Sequence, residues 1–193
     1  MDGIIKFKAD WNDIDSITDS EFEHIDRWRT AYFKSSLIGI GDDGIGYGNI
    51  SYRIKGTNEF IISGSATGGI PKLTKDHYSR VTSFNLNDNF VSCEGRTVAS
   101  SESMSHAAIY MADKDVNCIL HFHDSNVWAN QLNILPTTDA NSEYGTVDMA
   151  KAIYKLVEIS NSSVVIMGGH QDGIIIYGEY FDGYFDGVLG NLL

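Results

Sequence analysis

Val116-Asn117-Cys118-Ile119-Leu120-His121-Phe122-His123-Asp124 is the stretch around which the rest of the chain can be read. Cys118-Ile119-Leu120 is apolar, as a buried strand requires. Side chains alternate along a strand with a period of two. His121 and His123 therefore project from one face, near the strand's carboxyl end. Two imidazoles at that spacing can hold one divalent ion. An isolated His-x-His also suits two surface histidines on a sheet face, because the pattern is short. The apolar run before it favours a core strand whose polar end forms the lip of a cleft.

Outward from this strand, helices and strands alternate without the regular beat of a doubly wound sheet. Ser20 and Glu23 have the spacing of a capping box, and Phe22, Ile25, Trp28 or Arg29, and Tyr32 follow at helical intervals. Residues 39–48 read as a glycine-rich loop. Strands are expected at 50–54, 60–63, 89–93, 116–123, 164–167 and 174–177. Helices are expected at 75–83 (capped by Thr74), 101–112, 125–133 and 146–159. Met104, Ala107, Ala108 and Met111 fall on one face of the 101–112 helix. This order predicts a mixed α/β sandwich with a largely antiparallel sheet. No repeat, low-complexity tract or linker divides the chain, so one domain over 1–193 is expected.

Composition excludes several classes. Of 193 residues, 42% are hydrophobic and 11% aromatic, which suits a packed core and not a solvated coil. No apolar run approaches the roughly 20 residues of a membrane helix. The start, MDGIIKFKADW, lacks the charged-then-apolar pattern of a signal peptide. Cys93 and Cys118 lie outside any CxxC, which rules out a disulfide framework and points to a reducing, cytoplasmic compartment. Lys and Arg total 14 against 26 Asp and Glu, a formal charge of −12. Nucleic acid and anionic membranes would be repelled, so neither is an expected partner.

Among the other histidines, His24, His77 and His106 fall on helices and read as surface residues; His106, four after Glu102, could also orient that carboxylate. His170 differs. It sits in the glycine-flanked turn Gly168-Gly169-His170-Gln171-Asp172-Gly173 between two buried strands, well placed to reach a metal or to serve only as a turn residue. Three segments are rich in small hydrogen-bond donors: Gly46 to Ser51, Ser63 to Gly69, and Ala99 to Ser103. Each can cradle an anion or simply make a turn. None matches a phosphate-binding GKS/GKT loop or a dinucleotide GxGxxG. A chain of this charge needs a local positive field to hold a phosphate, which a bound divalent metal would supply. Glu102 reads either as a helix-dipole partner in its helix's first turn or as a general base beside the metal and anion sites.

Taken in order, GNIS (48–51), SGSATGG (63–69), SSE (100–102), HFH (121–123) and GGHQDG (168–173) resemble the class II aldolase/adducin family, the L-fuculose-phosphate aldolase type. The resemblance spans roughly residues 20–180. It implies a three-layer α/β/α sandwich with a mainly antiparallel central sheet. It implies His121, His123 and His170 as ligands of Zn²⁺ or another divalent transition metal, Glu102 as acid/base, and Gly48, Asn49, Thr67, Gly68, Ser100 and Ser101 as the phosphate pocket. The implied activity is that of a lyase making and breaking a C–C bond in a small ketose phosphate, or a related hydroxy-carbonyl substrate, through a metal-stabilised enediolate. A homotetramer with active sites at subunit contacts is implied as well.

Some residues depart from the family pattern. Gln171 stands where members more often carry glycine, the segment between His123 and His170 is shorter than in fuculose aldolases, and the tail is short. Tyr180 or Tyr184 could replace a proton donor that members take from the tail or a neighbouring subunit. Glu102, in place of Asp, favours aldolases over the 4-epimerases. A dehydratase would use a Glu after the histidine pair, for which Glu143 is the candidate. A non-catalytic adducin-like assembly module would lack the histidines that this chain keeps.

Overall fold

The computed structural model describes residues 4–42 and 44–193; Asp43, inside the loop read at 39–48, and residues 1–3, at the start of the segment compared with a signal peptide, lie outside the described residues. Eight strands form one sheet: β1 (Lys8–Asn12), β4 (Asn49–Arg53), β5 (Phe60–Ser63), β6 (Tyr78–Asn85), β7 (Phe90–Glu94), β8 (Cys118–His123), β9 (Val164–Ile166) and β10 (Gly173–Gly178). Their spatial order is β1-β7-β6-β5-β4-β8-β10-β9, and β2 (Gly39–Ile40) pairs with β3 (Gly46–Tyr47) separately. Every pairing between these strands is antiparallel except β1 with β7. The helices are α1 (Asp19–Lys34), α2 (Ser103–Ala112), α3 (Ser125–Gln131), α4 (Val147–Ile159) and α5 (Tyr184–Leu192).

The two-residue period of β8 divides the core. Ile119 joins Ile62, Val165 and Ile175 on one face, covered by Met104 and Ala108 of α2 and by Ile153 of α4. Leu120 and Phe122 join Ile50, Ile61 and Ile174 on the other, covered by Ile25 and Tyr32 of α1, Val127 of α3 and Phe185 of α5. Helices therefore lie on both faces of a mainly antiparallel sheet, the architecture expected. Fully burying each such isoleucine contributes about 1.5–3 kcal/mol. His121 and His123 continue the Ile119 face beyond its apolar part, so the cleft opens on the α2–α4 side.

Several local expectations need correction. The α1 capping box is Thr18 with Glu21, two residues before the Ser20–Glu23 pair: Thr18 Oγ1 accepts from Glu21 N, and Glu21 Oε2 accepts from Thr18 N at 2.9 Å. The helix read at 75–83 is only a 3-10 turn at Lys75–His77. Tyr78–Asn85 continues as β6, paired with β5 on one side and β7 on the other, with Tyr78 and Val81 buried on opposite faces. β1 was not foreseen; its five residues are exposed, and it pairs with β7, remote in sequence. Helix α2 is buried on nearly every side, packed between the sheet and α4, while Met111, expected on its apolar face, is 46% exposed.

The candidate active site

The register of the sheet assembles the site. Antiparallel pairing sets Asn49 of β4 against His121 of β8, and Gly173 of β10 against His123. An isolated bridge between Gly64 and Ala99, with Ser65 N donating to Val98 O at 2.9 Å, brings the 64–68 loop beside Ser100-Ser101-Glu102. Gly48, Asn49, Thr67, Gly68, Ser100, Ser101, Glu102, His121, His123 and His170 all line one cleft of about 360 Å³, its open mouth included. The residues expected to hold the metal, the proton and the phosphate thus meet at one place.

His121, His123 and His170 each present a ring nitrogen, and the three lie within 4.8 Å of one another. His121 Nδ1 is 3.1 Å from the carbonyl oxygen of Ile174. A carbonyl only accepts, so the ring proton belongs on Nδ1 and the Nε2 lone pair faces the cluster. Burial, then the like charges of His123, His170 and His106, push the His121 pKa down to about 3 against the pull of Glu102. The ring is therefore neutral, the form that ligates metals. His121 Nε2 and His123 Nε2 are 3.3 Å apart. A tetrahedron with corners 2.0–2.1 Å from its centre has edges of about 3.3 Å. The donor set fits a divalent transition ion, and the Nδ1 contact with Ile174 is the outer support that metal-binding histidines use.

Glu102 immediately precedes α2 as its N-cap residue, and its side chain makes no capping bond. It is 3% exposed. Oε2 accepts from Ser105 Oγ at 2.7 Å, and Oε1 lies 3.4 Å from His170 Nδ1. Burial raises its pKa, but the contact with His170 and the Ser105 hydroxyl outweigh it and hold the carboxyl below its ordinary range. A buried, ionised carboxylate beside the histidines results. His106 is neither a surface residue nor the one that orients Glu102. Its Nδ1 is 2.7 Å from Ser51 Oγ, which is 2.7 Å from Tyr110 Oη, an internal network beneath the cleft. Ser105 orients the carboxylate instead.

Tyr144 also lines the cleft, and its ring centroid is 4.8 Å from that of His170. Lys6 Nζ sits 3.9 Å from the Tyr144 ring centroid and pairs with Glu143 at 3.0 Å. Tyr47 stacks on His123 at 5.3 Å. Neither tyrosine was singled out from the sequence, since a lone aromatic in a polar loop carries no periodic signal. Glu143, the dehydratase candidate, does not line the cleft, nor do Tyr180 and Tyr184 of the same chain. His24 is exposed on α1 beside Tyr52, and His77 bonds with Thr74 at the 3-10 turn.

The family model for the class II aldolase and adducin N-terminal domain matches residues 36–183. No curated protein sequence matches the chain. Among solved structures, an L-fuculose 1-phosphate aldolase is similar, with a TM-score of 0.67 at 18% identity, covering 89% of this chain and 81% of that one. YgbL of Escherichia coli, a candidate aldolase/epimerase/decarboxylase, gives a TM-score of 0.67 at 14% identity over 90% and 86% of the two chains. A sugar-phosphate aldolase from Thermotoga maritima gives 0.59 at 11% identity over 79% and 82%. At these identities the likeness is one of fold. No helix among the described residues is long and apolar enough to cross a membrane.

Proposed function

The chain belongs to the class II aldolase and adducin family, and on that premise we propose that it is a metal-dependent lyase for a small ketose phosphate. The observation that carries this reading is the meeting of three imidazoles with one buried carboxylate in a cleft lined by small donors. His121, His123 and His170 would hold the ion, Zn²⁺ or another divalent transition metal. When bound, the ion supplies Lewis-acid polarisation of a carbonyl oxygen.

The chain's own residues do the rest. Glu102, kept ionised by its neighbours, takes and returns a proton at the carbon next to the substrate carbonyl, the step common to C–C cleavage and its reverse. Ser105 fixes the carboxylate's rotamer, leaving Oε1 turned toward the histidine side. Gly48, Asn49, Thr67, Gly68, Ser100 and Ser101 hold the phosphate, so binding to a non-reacting group orients the reacting one. Tyr144 and Tyr47, packed on His170 and His123, form walls that limit water access. A homotetramer working in a reducing compartment completes the proposal.

The test is a screen of ketose phosphates, with metal-loaded protein, for cleavage, epimerisation and loss of water. Aldehyde and dihydroxyacetone phosphate as products support the lyase. Epimerised or dehydrated product alone would assign the same residues to those reactions, and no turnover of any phosphorylated sugar would favour a non-catalytic assembly module.

A further inference from the structure

The cleft that would receive a phosphate is lined by no lysine or arginine among the described residues, in a chain of net charge −12. A dianion there needs a positive field from behind the wall. Arg29 of α1 occupies that position and is only 1% exposed. Its Nη2 donates to the carbonyl oxygens of Thr67 and Gly68, each at 3.0 Å, and Nη1 to Pro71 O at 3.4 Å. The guanidinium also lies 4.6 Å from the Phe33 ring centroid. Among the described residues no carboxylate stands within ion-pair distance of it. Asp26, one turn earlier on α1, exerts its charge on Arg29 but accepts from Tyr78 Oη at 2.8 Å. A buried arginine remains charged, and without a close counter-ion its field extends to its surroundings.

The two carbonyl bonds also fix the loop. In a planar trans peptide, the C=O of one residue and the N–H of the next point in opposite directions. With the Thr67 and Gly68 carbonyls turned to Arg29, the N–H groups of Gly68 and Gly69 are turned away from it. Neither N–H has an acceptor among the described residues. Gly68 lines the cleft, and Gly69 N lies 2.9 Å from where a Cβ on Gly46, another lining residue, would stand. Successive N–H groups facing one way form an anion-binding nest. A Cβ at Gly68 would stand 2.6 Å from Tyr47 O, so only glycine lets this loop pack against the Gly46-Tyr47 main chain.

We propose that Arg29 is the positioning residue of this anion cradle: it aims the Gly68 and Gly69 amides at the substrate's phosphate and supplies the cation behind them. The inference rests on the lyase reading for the identity of the substrate, and selects phosphate monoesters over uncharged sugars.

The test is titration of inorganic phosphate into the full chain after chelator treatment, so that phosphate has no metal to bind. Arg29→Met should weaken phosphate binding about tenfold or more. Arg29→Lys, which keeps the charge but cannot span two carbonyls, should fall between. Zn²⁺ stoichiometry at the histidines should be unchanged in both, whereas general structural damage would move both readouts together. Wild-type affinity for phosphate in either folded variant would overturn the proposal, and so would a wild-type chain that binds no phosphate. If Arg29→Met does not fold, Arg29→Lys decides. Zn²⁺ binding with cleavage of a ketose phosphate, but phosphate affinity that Arg29→Met leaves at the wild-type level, would sink this inference and leave the lyase. Arg29-dependent phosphate binding by a chain that takes no metal would support the cradle and sink the lyase.

Discussion

Gly169 packs so closely on the main chain of Ser142 that a Cβ at Gly169 would stand 1.9 Å from the Ser142 carbonyl oxygen. That contact presses the His170 turn onto the loop carrying Tyr144. Only a residue without a Cβ permits it, and the position of the third imidazole depends on it. Gly169→Ala should therefore displace His170, lowering Zn²⁺ affinity by about 10–100-fold and stability by about 1–3 kcal/mol. Calorimetric titration and thermal unfolding measure the two effects. Gly190→Ala, in α5 where a Cβ meets nothing within 4 Å, is the control and should change neither for the worse.

Glu102 is the one carboxylate lining the cleft among the described residues. Metal-loaded protein incubated with dihydroxyacetone phosphate in D₂O should exchange a proton at the carbon next to the carbonyl. Glu102→Gln keeps the side chain's size and its contact with Ser105 but cannot take the proton. Exchange followed by NMR should fall by at least about 100-fold, the lower end for a general base. Ser105→Ala, which frees the carboxylate's rotamer, should slow exchange by less. Undiminished exchange in Glu102→Gln would move the base elsewhere.

His106 makes a prediction about pH and stability. Burial pushes its pKa down to about 3, from an ordinary value near 6.5. The unfolded chain takes up a proton below about pH 6.5, whereas the folded chain keeps this ring neutral. Folding is therefore weakened as pH falls from 6.5 toward 3, by about 1.4 kcal/mol per pH unit for this group. His106→Asn should cost stability at pH 7.5 by disturbing the Ser51–Tyr110 network, yet lose less on acidification. Urea unfolding of metal-free protein between pH 7.5 and 5 gives both slopes. Parallel slopes would show that His106 is not the group responsible.

Much of the site was legible because its signals are local and chemical. The period of a strand placed His121 and His123 on one face, and glycines around His170 marked a turn that could approach them. What stayed hidden depends on distant packing. Nothing near Arg29 in sequence shows that α1 lies behind Thr67 and Gly68; its place in a helical apolar stripe reads as an ordinary amphipathic position. His106 looked like a surface residue because α2's second cover, α4, is remote in the chain. β1 lacks buried residues and pairs with a strand far along the sequence, so no alternation announces it. The Thr74 signal was real but led into a three-residue turn, after which pairing with β5 and β7 prevailed over helix. The Ser20–Glu23 spacing drew the cap two residues too late, because Thr18–Glu21 has the same pattern and makes the bonds.

The central claim is that three imidazoles from β8 and the turn before β10 hold one divalent cation beside Glu102. Calorimetric titration of chelator-treated protein with Zn²⁺ tests it most directly, using wild type and His170→Ala. The account predicts one ion per wild-type chain and loss of tight binding in the variant, with the fold retained by circular dichroism. A wild-type chain that takes up no zinc, cobalt or manganese, or a His170→Ala variant that binds zinc as tightly as wild type, would contradict it.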